Sequence, residues 1–183
     1  MGNTRIFSGN VTFRPYQEFT AISYYQLKDA KKSINGRYGH CLVSMVFCAF
    51  SLEAFLNHLG DSLFQNLWNT RLAPETKLEL ISKKLGISID KRIEPFSDFG
   101  NIFRYRIDIV HARTLKSTFT TNQVRVDGVP VIPKPQWDTI TRIDIAEKFF
   151  NNTEKMIAFL LKVSGNLVDK SLSPRTADWS SSG

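Results

Sequence analysis

The 183-residue chain is poor in the residues that build metal, redox and covalent sites, with only two cysteines and three histidines. No Cys/His grouping has zinc-ligand spacing, and its ten glycines form no phosphate-cradling loop. No metal and no cofactor is therefore expected. Cys41 and Cys48 are seven residues apart on one predicted helix, about 10 Å along its axis. That exceeds the reach of a disulfide, so both are expected to be buried thiols. The opening "MGNTRIFSGN" has no apolar core of the kind a secretory leader needs. The longest apolar run, "CLVSMVFCAFSLEAFL", is interrupted by serines and by Glu53, short of the roughly 20 residues that span a bilayer. A buried core helix is expected there. No helix pairs a strong Lys/Arg face with a Trp-rich one, so no membrane association is expected and the cytoplasm is the expected location.

Negative charge is also in short supply: 24 Lys and Arg stand against 17 Asp and Glu, for a net charge of +7. Residues 1–136 hold 18 basic and 11 acidic residues, whereas residues 137–183 hold six of each. The whole excess thus precedes Trp137, concentrated at Lys28 to Arg37, Lys83 to Arg92 and Arg104 to Lys116. Three basic clusters in one small domain favour a polyanionic partner, of which nucleic acid is the commonest. With 42% hydrophobic and 12% aromatic residues, the chain has enough apolar material for one globular core.

The apolar spacing predicts four to five helices. The first runs from Tyr16 to Ile34, striped by Phe19, Ile22, Leu27, Ala30 and Ile34 and stopped by Asn35-Gly36. A second, apolar on nearly every face, spans Tyr38 to about Trp68 with a bend or break expected at Gly60-Asp61. Pro74 and Gly86 bracket a third. A fourth opens at a cap on Ser97 or Asp98 and ends near Leu115. The last starts at a Thr141/Asp144 capping box and ends at Gly165. Asp127-Gly128 between two Val-containing runs predicts a small β-hairpin, about 123–133, before that last helix. The expected fold class is an all-α bundle over residues 16–165. Residues 1–15 form an N-terminal extension with a short strand or hairpin, and the Ser/Pro-rich residues 166–183 a flexible C-terminal tail.

The fourth helix carries "FRYRIDIVHART". At 100° per residue, Phe103, Ile107 and Val110 share an arc assigned to the core. Arg104, Asp108 and His111 share the neighbouring arc, and Arg106 stands apart at the other edge of the core face. As a solvated stripe, Arg104 and Asp108 are an exposed ion pair. As a reactive one, His111 supplies the side-chain type that exchanges protons near neutrality, and an arginine beside it holds a phosphate bidentately. Glu53 and Asn57, one turn apart on the second helix, pose the same choice. A buried glutamate needs a partner, and the inward-directed Arg106 is the expected one. His40 and His58 are expected to be structural.

"RIDIVHA", Arg106 to Ala112, resembles the R-x4–6-H motif of the HEPN domain (higher eukaryotes and prokaryotes nucleotide-binding), commonly Arg-Asn-x-x-Val-His. "EAFLN", Glu53 to Asn57, is similar to the stretch that precedes the motif in many members, and the likeness spans roughly Tyr16 to Leu161. Ile107 stands where the family usually has a polar residue. Arg104 with His111 also satisfies the spacing, as R-x6-H. The resemblance implies a helical bundle that forms a two-fold homodimer with the motif helices at the interface. It also implies a metal-independent endoribonuclease of toxin–antitoxin, defence or RNA-processing systems, or a silent relative serving as a binding or protein-interaction module. In the active form Arg106 and His111 are catalytic, with Arg104, Asp108, Glu53 and Asn57 in support. Lys83, Lys84, Lys91, Arg92, Arg113 and Lys116 are the expected RNA contacts. An antitoxin or other protein is a further expected partner.

Overall fold

The computed structural model describes residues 6–111, 121–128, 131, 139–165 and 175–182. Five α-helices stand among these residues: α1 (Pro15–Lys32), α2 (Arg37–Phe64), α3 (Pro74–Leu85), α4 (Phe99–Val110) and α5 (Ile143–Val163). The class is all-α, as expected, and α2 is the hub that touches each of the other four helices. Two strands, β1 (Ile6–Phe13) and β2 (Arg175–Ser182), pair antiparallel with Gly9 opposite Trp179. This ladder lies partly in the segment expected to be a flexible tail.

By length and composition α2 is apolar enough to cross a bilayer. In this fold its apolar surface is used by neighbours: Met45, Cys48, Ala49, Leu52, Phe55, Leu56 and Leu59 are all buried. Both cysteines are free and buried. Burial pushes the Cys48 thiol up to about 11, so it is no nucleophile near neutral pH.

The contact between α1 and α2 is a seam of hydroxyls. Ser23 Oγ donates to Ser44 O at 3.0 Å and approaches Cys48 Sγ at 3.2 Å. Ser51 Oγ donates to Tyr16 O at 2.9 Å and meets Thr20 Oγ1 at 2.5 Å. Small polar side chains let the two backbones approach closely, and the expected stripe is buried at Leu27 and Ala30 but not at Ile22 or Ile34. Tyr16, Ser23, Leu27 and Ala30 face inward, while Ile22 and Ile34 are exposed and α1 ends at Lys32.

No break occurs at Gly60-Asp61. The helix continues to Phe64 and a 3-10 turn over Gln65–Leu67. Gly60 instead seats the ring of Trp68, which stacks on Phe64 at 5.4 Å and donates from Nε1 to Asn57 Oδ1 at 3.4 Å. A Cβ on Gly60 would collide with Trp68 Cε2. Gly60→Ala is accordingly expected to cost about 2 kcal/mol through overpacking or expulsion of the indole. A lowered urea midpoint with a red-shifted tryptophan emission is the expected readout; an unchanged midpoint would contradict the seating.

The ends of α3 follow the sequence. Pro74 sits in its first turn, and Gly86, at φ +65°, turns the chain so that Ile87 N–H reaches Ser82 O at 3.0 Å. Elsewhere the expected caps are replaced by tertiary bonds. Asp98 precedes α4 in a helical conformation, at φ −95° and ψ −1°, which cannot cap. Its carboxylate is turned to α5 instead, where Asn152 Nδ2 lies at 2.6 Å and Lys148 Nζ at 3.0 Å. The Thr141/Asp144 capping box is absent. Thr141 Oγ1 bonds Tyr105 Oη at 2.6 Å, and Asp144 pairs with Arg142 at 2.6 Å. Around the expected hairpin the described residues show a turn, Gly128 N–H to Arg125 O at 2.8 Å. One rung, Val131 N–H to Gln123 O at 2.9 Å, adds to it without a regular strand.

Candidate functional site

α4 packs on α2 with a face different from the one expected. Phe99, Ile102, Phe103 and Tyr105 are buried, whereas Ile107 is 48% and Val110 54% exposed. Of the expected core arc Phe103, Ile107 and Val110, only Phe103 is in the core. The reason is that α4 has apolar residues on most of its circumference. The deepest contacts are made by the larger arc, with Tyr105 anchored by Thr141 and edge-on to Phe149 at 6.2 Å. An apolar strip on the last two turns is left facing solvent. The helix also ends at Val110 rather than near Leu115, with His111 as its exposed C-cap residue, its N–H bonded to Ile107 O at 2.9 Å.

This rotation sends the two candidate arginines to different sides of α4. Arg106 reaches α2, with Nη2 3.7 Å from Glu53 Oε2, the pairing expected from sequence, and its guanidinium 5.6 Å from the Phe50 ring centre. Its Nε is buried without a hydrogen-bond partner. The other oxygen of Glu53 is taken by a residue not anticipated: Lys77 of α3, with Nζ at 3.3 Å from Oε1 and a side chain 0% exposed. One carboxylate thus faces two cations and leaves the cluster one positive charge in excess. Arg106, 31% exposed, is the member that an oxyanion can reach. Lys77 was detectable in principle, since it falls on the Pro74, Leu78, Ile81 stripe where a charge needs a partner. Asn57 does not join Glu53; it accepts from Trp68.

Arg104 and Asp108 open on the opposite flank, into a cleft of about 360 Å³ between α4 and α5 that also holds Asn101, Lys148 and Phe149. No ion pair joins Arg104 to Asp108 among the described residues. By helical position His111 shares the arc of Arg104 and Asp108. No hydrogen bond or ion pair links it to either arginine within the chain among the described residues. Two different anion-reaching cations therefore flank the end of one helix, with a histidine at its tip.

The expected RNA contacts are distributed unevenly. Lys83 and Lys84 are exposed in the last turn of α3, with Lys84 Nζ 5.8 Å from the Phe64 ring centre. Lys91 is 3.5 Å from Glu79, and Arg92 pairs with Asp90 at 2.8 Å, so their charges are partly offset. Arg113 and Lys116 lie outside the described residues. His40 Nδ1 contacts Gln26 Oε1 at 2.8 Å, and His58 stacks on Tyr16 at 5.4 Å. Burial holds the His58 imidazole below its usual range, with Arg14 adding to the effect. Among the described residues no three His, Cys, Asp or Glu side chains converge as metal ligands would. Comparison with protein-family models, with curated proteins and with solved structures finds no match to this chain.

Proposed function

We propose that the protein is a metal-independent endoribonuclease of HEPN type that acts as a two-fold dimer, its bundle carrying the 123–133 hairpin as an insertion. The observation that supports this reading is the Glu53 cluster. It holds Arg106 with one positive charge in excess, five residues before an exposed histidine at the end of the same helix. Ile107 and Val110, exposed beside them, suit an interface between two copies of α4. A dimer supplies the second proton carrier that one chain lacks.

In this mechanism His111 of one subunit accepts the proton of a ribose 2′-hydroxyl as its oxygen bonds to the adjacent phosphorus. Arg106, with Arg104 from the other flank, stabilises the charge on the pentacoordinate phosphate. The bond from phosphorus to the 5′-oxygen breaks, and the partner subunit's His111 donates the proton that oxygen needs. The products are a 2′,3′-cyclic phosphate and a 5′-hydroxyl. Lys83 and Lys84 guide the strand electrostatically. A cytoplasmic setting with RNA as target and an antitoxin or other regulatory protein as partner fits this activity, as in toxin–antitoxin or defence systems.

The test is incubation of the purified full chain with mixed RNA in EDTA, with the product ends identified chemically. Failure to cleave, or cleavage undiminished by His111→Ala, overturns the proposal. The joint substitution Ile107→Asp with Val110→Asp is expected to shift the protein to monomer in light scattering and to remove activity with it. A second reading is favoured by the lack, among the described residues, of a hydrogen bond or ion pair between His111 and Arg104 or Arg106 within one chain: a catalytically silent bundle that binds RNA or a protein. It predicts salt-dependent RNA binding without products, weakened by loss of Lys83 and Lys84.

A further inference from the structure

Away from the α4 site, α1 and α5 diverge to form a groove of about 440 Å³. Its walls carry the rings of Tyr16, Tyr24, Tyr25 and Phe150, and Glu154 stands among them. Tyr24 lies 5.9 Å from Phe150 at an interplanar angle of 42° and 5.4 Å from Tyr25 at 67°, so the three rings form one continuous aromatic cluster along the groove. Tyr24 and Tyr25 are 47% and 59% exposed, on a helix whose other flank is packed.

The charge of this groove runs against that of the protein. The chain carries a net +7, yet among the described residues no lysine, arginine or histidine lines the groove. Glu154 makes no hydrogen bond or ion pair among the described residues, and partial burial raises its carboxyl above the ordinary range. Its neighbours on α5 in the groove, Phe150, Ile157 and Ala158, offer no counter-charge. Electron-rich ring faces around a lone carboxylate form the arrangement that attracts a weakly hydrated cation: the rings act through their quadrupoles and the carboxylate through its charge. An anion would meet the same carboxylate with no basic side chain among the described lining residues to offset it. The volume is that of a small-molecule site.

We propose that the groove between α1 and α5 binds a small organic cation, an ammonium carrying apolar substituents, held by Tyr24, Tyr25 and Phe150 and countered by Glu154. The site is independent of the α4 cluster and of any reaction there.

The experiment compares choline with its uncharged carbon isostere, dimethylbutanol, by titration of the full chain followed through tyrosine and methyl NMR shifts. Saturable binding of choline at least about tenfold tighter than the isostere is expected. Glu154→Gln and, separately, Tyr25→Ala should each weaken choline about fivefold or more, with circular dichroism unchanged, since both side chains are exposed and carry no packing of the core. Equal affinity for the two compounds would identify a plain apolar groove and overturn the proposal. So would the absence of saturable choline binding, or choline affinity untouched by Glu154→Gln.

Discussion

His111→Ala is expected to lower RNA cleavage in EDTA by about a thousandfold, the scale on which a positioned acid or base acts. In the proposed dimer both copies would be removed at once, so the proposed acceptor of the 2′-hydroxyl proton and the proposed donor to the leaving oxygen would be lost together. The fold should not notice. His111 is exposed, and only its backbone N–H serves the helix end, so the thermal midpoint is expected within a degree or two of wild type. Arg106→Lys offers a complementary measurement. It retains the charge beside Glu53 but loses the planar fork that grips two phosphate oxygens, and about a hundredfold loss is expected. Should Arg104→Lys reduce the rate while Arg106→Lys does not, the phosphate is held on the α5 flank of the helix instead.

Glu53→Gln is expected to cost the fold about 3 kcal/mol. The carboxylate is the shared counter-ion of Arg106 and of Lys77, whose side chain is 0% exposed. A neutral amide leaves that ammonium buried with no anion. The loss is set by Lys77 more than by Arg106, because Arg106 retains access to water. A second substitution separates the two contributions. In the Glu53→Gln, Lys77→Met pair the buried charge is gone and an apolar side chain of similar length occupies its path, so most of the loss is expected to return. Urea unfolding of the three variants measures it. A Glu53→Gln midpoint equal to wild type would show that Lys77 is not held as a charge by this carboxylate.

Local signals read from the sequence were reliable where the cause is local. Pro74 and Gly86 marked α3 because both act on their own φ angles and on the nearest backbone groups. The apolar continuity of α2 marked a central helix for a similar reason, since a helix apolar on most faces gains by packing neighbours around it. Caps fared worse. Asp98, Thr141 and Asp144 have side chains suited to capping, but each found a stronger or closer partner, in Asn152, Tyr105 and Arg142 respectively. Gly60 looked like a break and proved to be the seat of an indole eight residues away.

The site divides along the same line. The motif residues, their spacing and the need of Glu53 for a cationic partner follow from sequence alone, because helical periodicity and the cost of burying a charge are general. Which way α4 faces did not follow. Its apolar residues cover more than one arc, and a wheel gives directions about the axis of the helix without saying which direction is inward. Only the packing of Tyr105 against Thr141 and Phe149 decided that Ile107 and Val110 face water. The same packing decided that Arg104 and Arg106 serve opposite flanks, and that Lys77 from a third helix completes the Glu53 cluster. The sequence by itself determined an all-α chain with the candidate Arg104, Arg106 and His111 on one helix. Tertiary structure decided which charges meet, because contacts between residues dozens of positions apart depend on the rotation of whole helices, a quantity that no local pattern encodes.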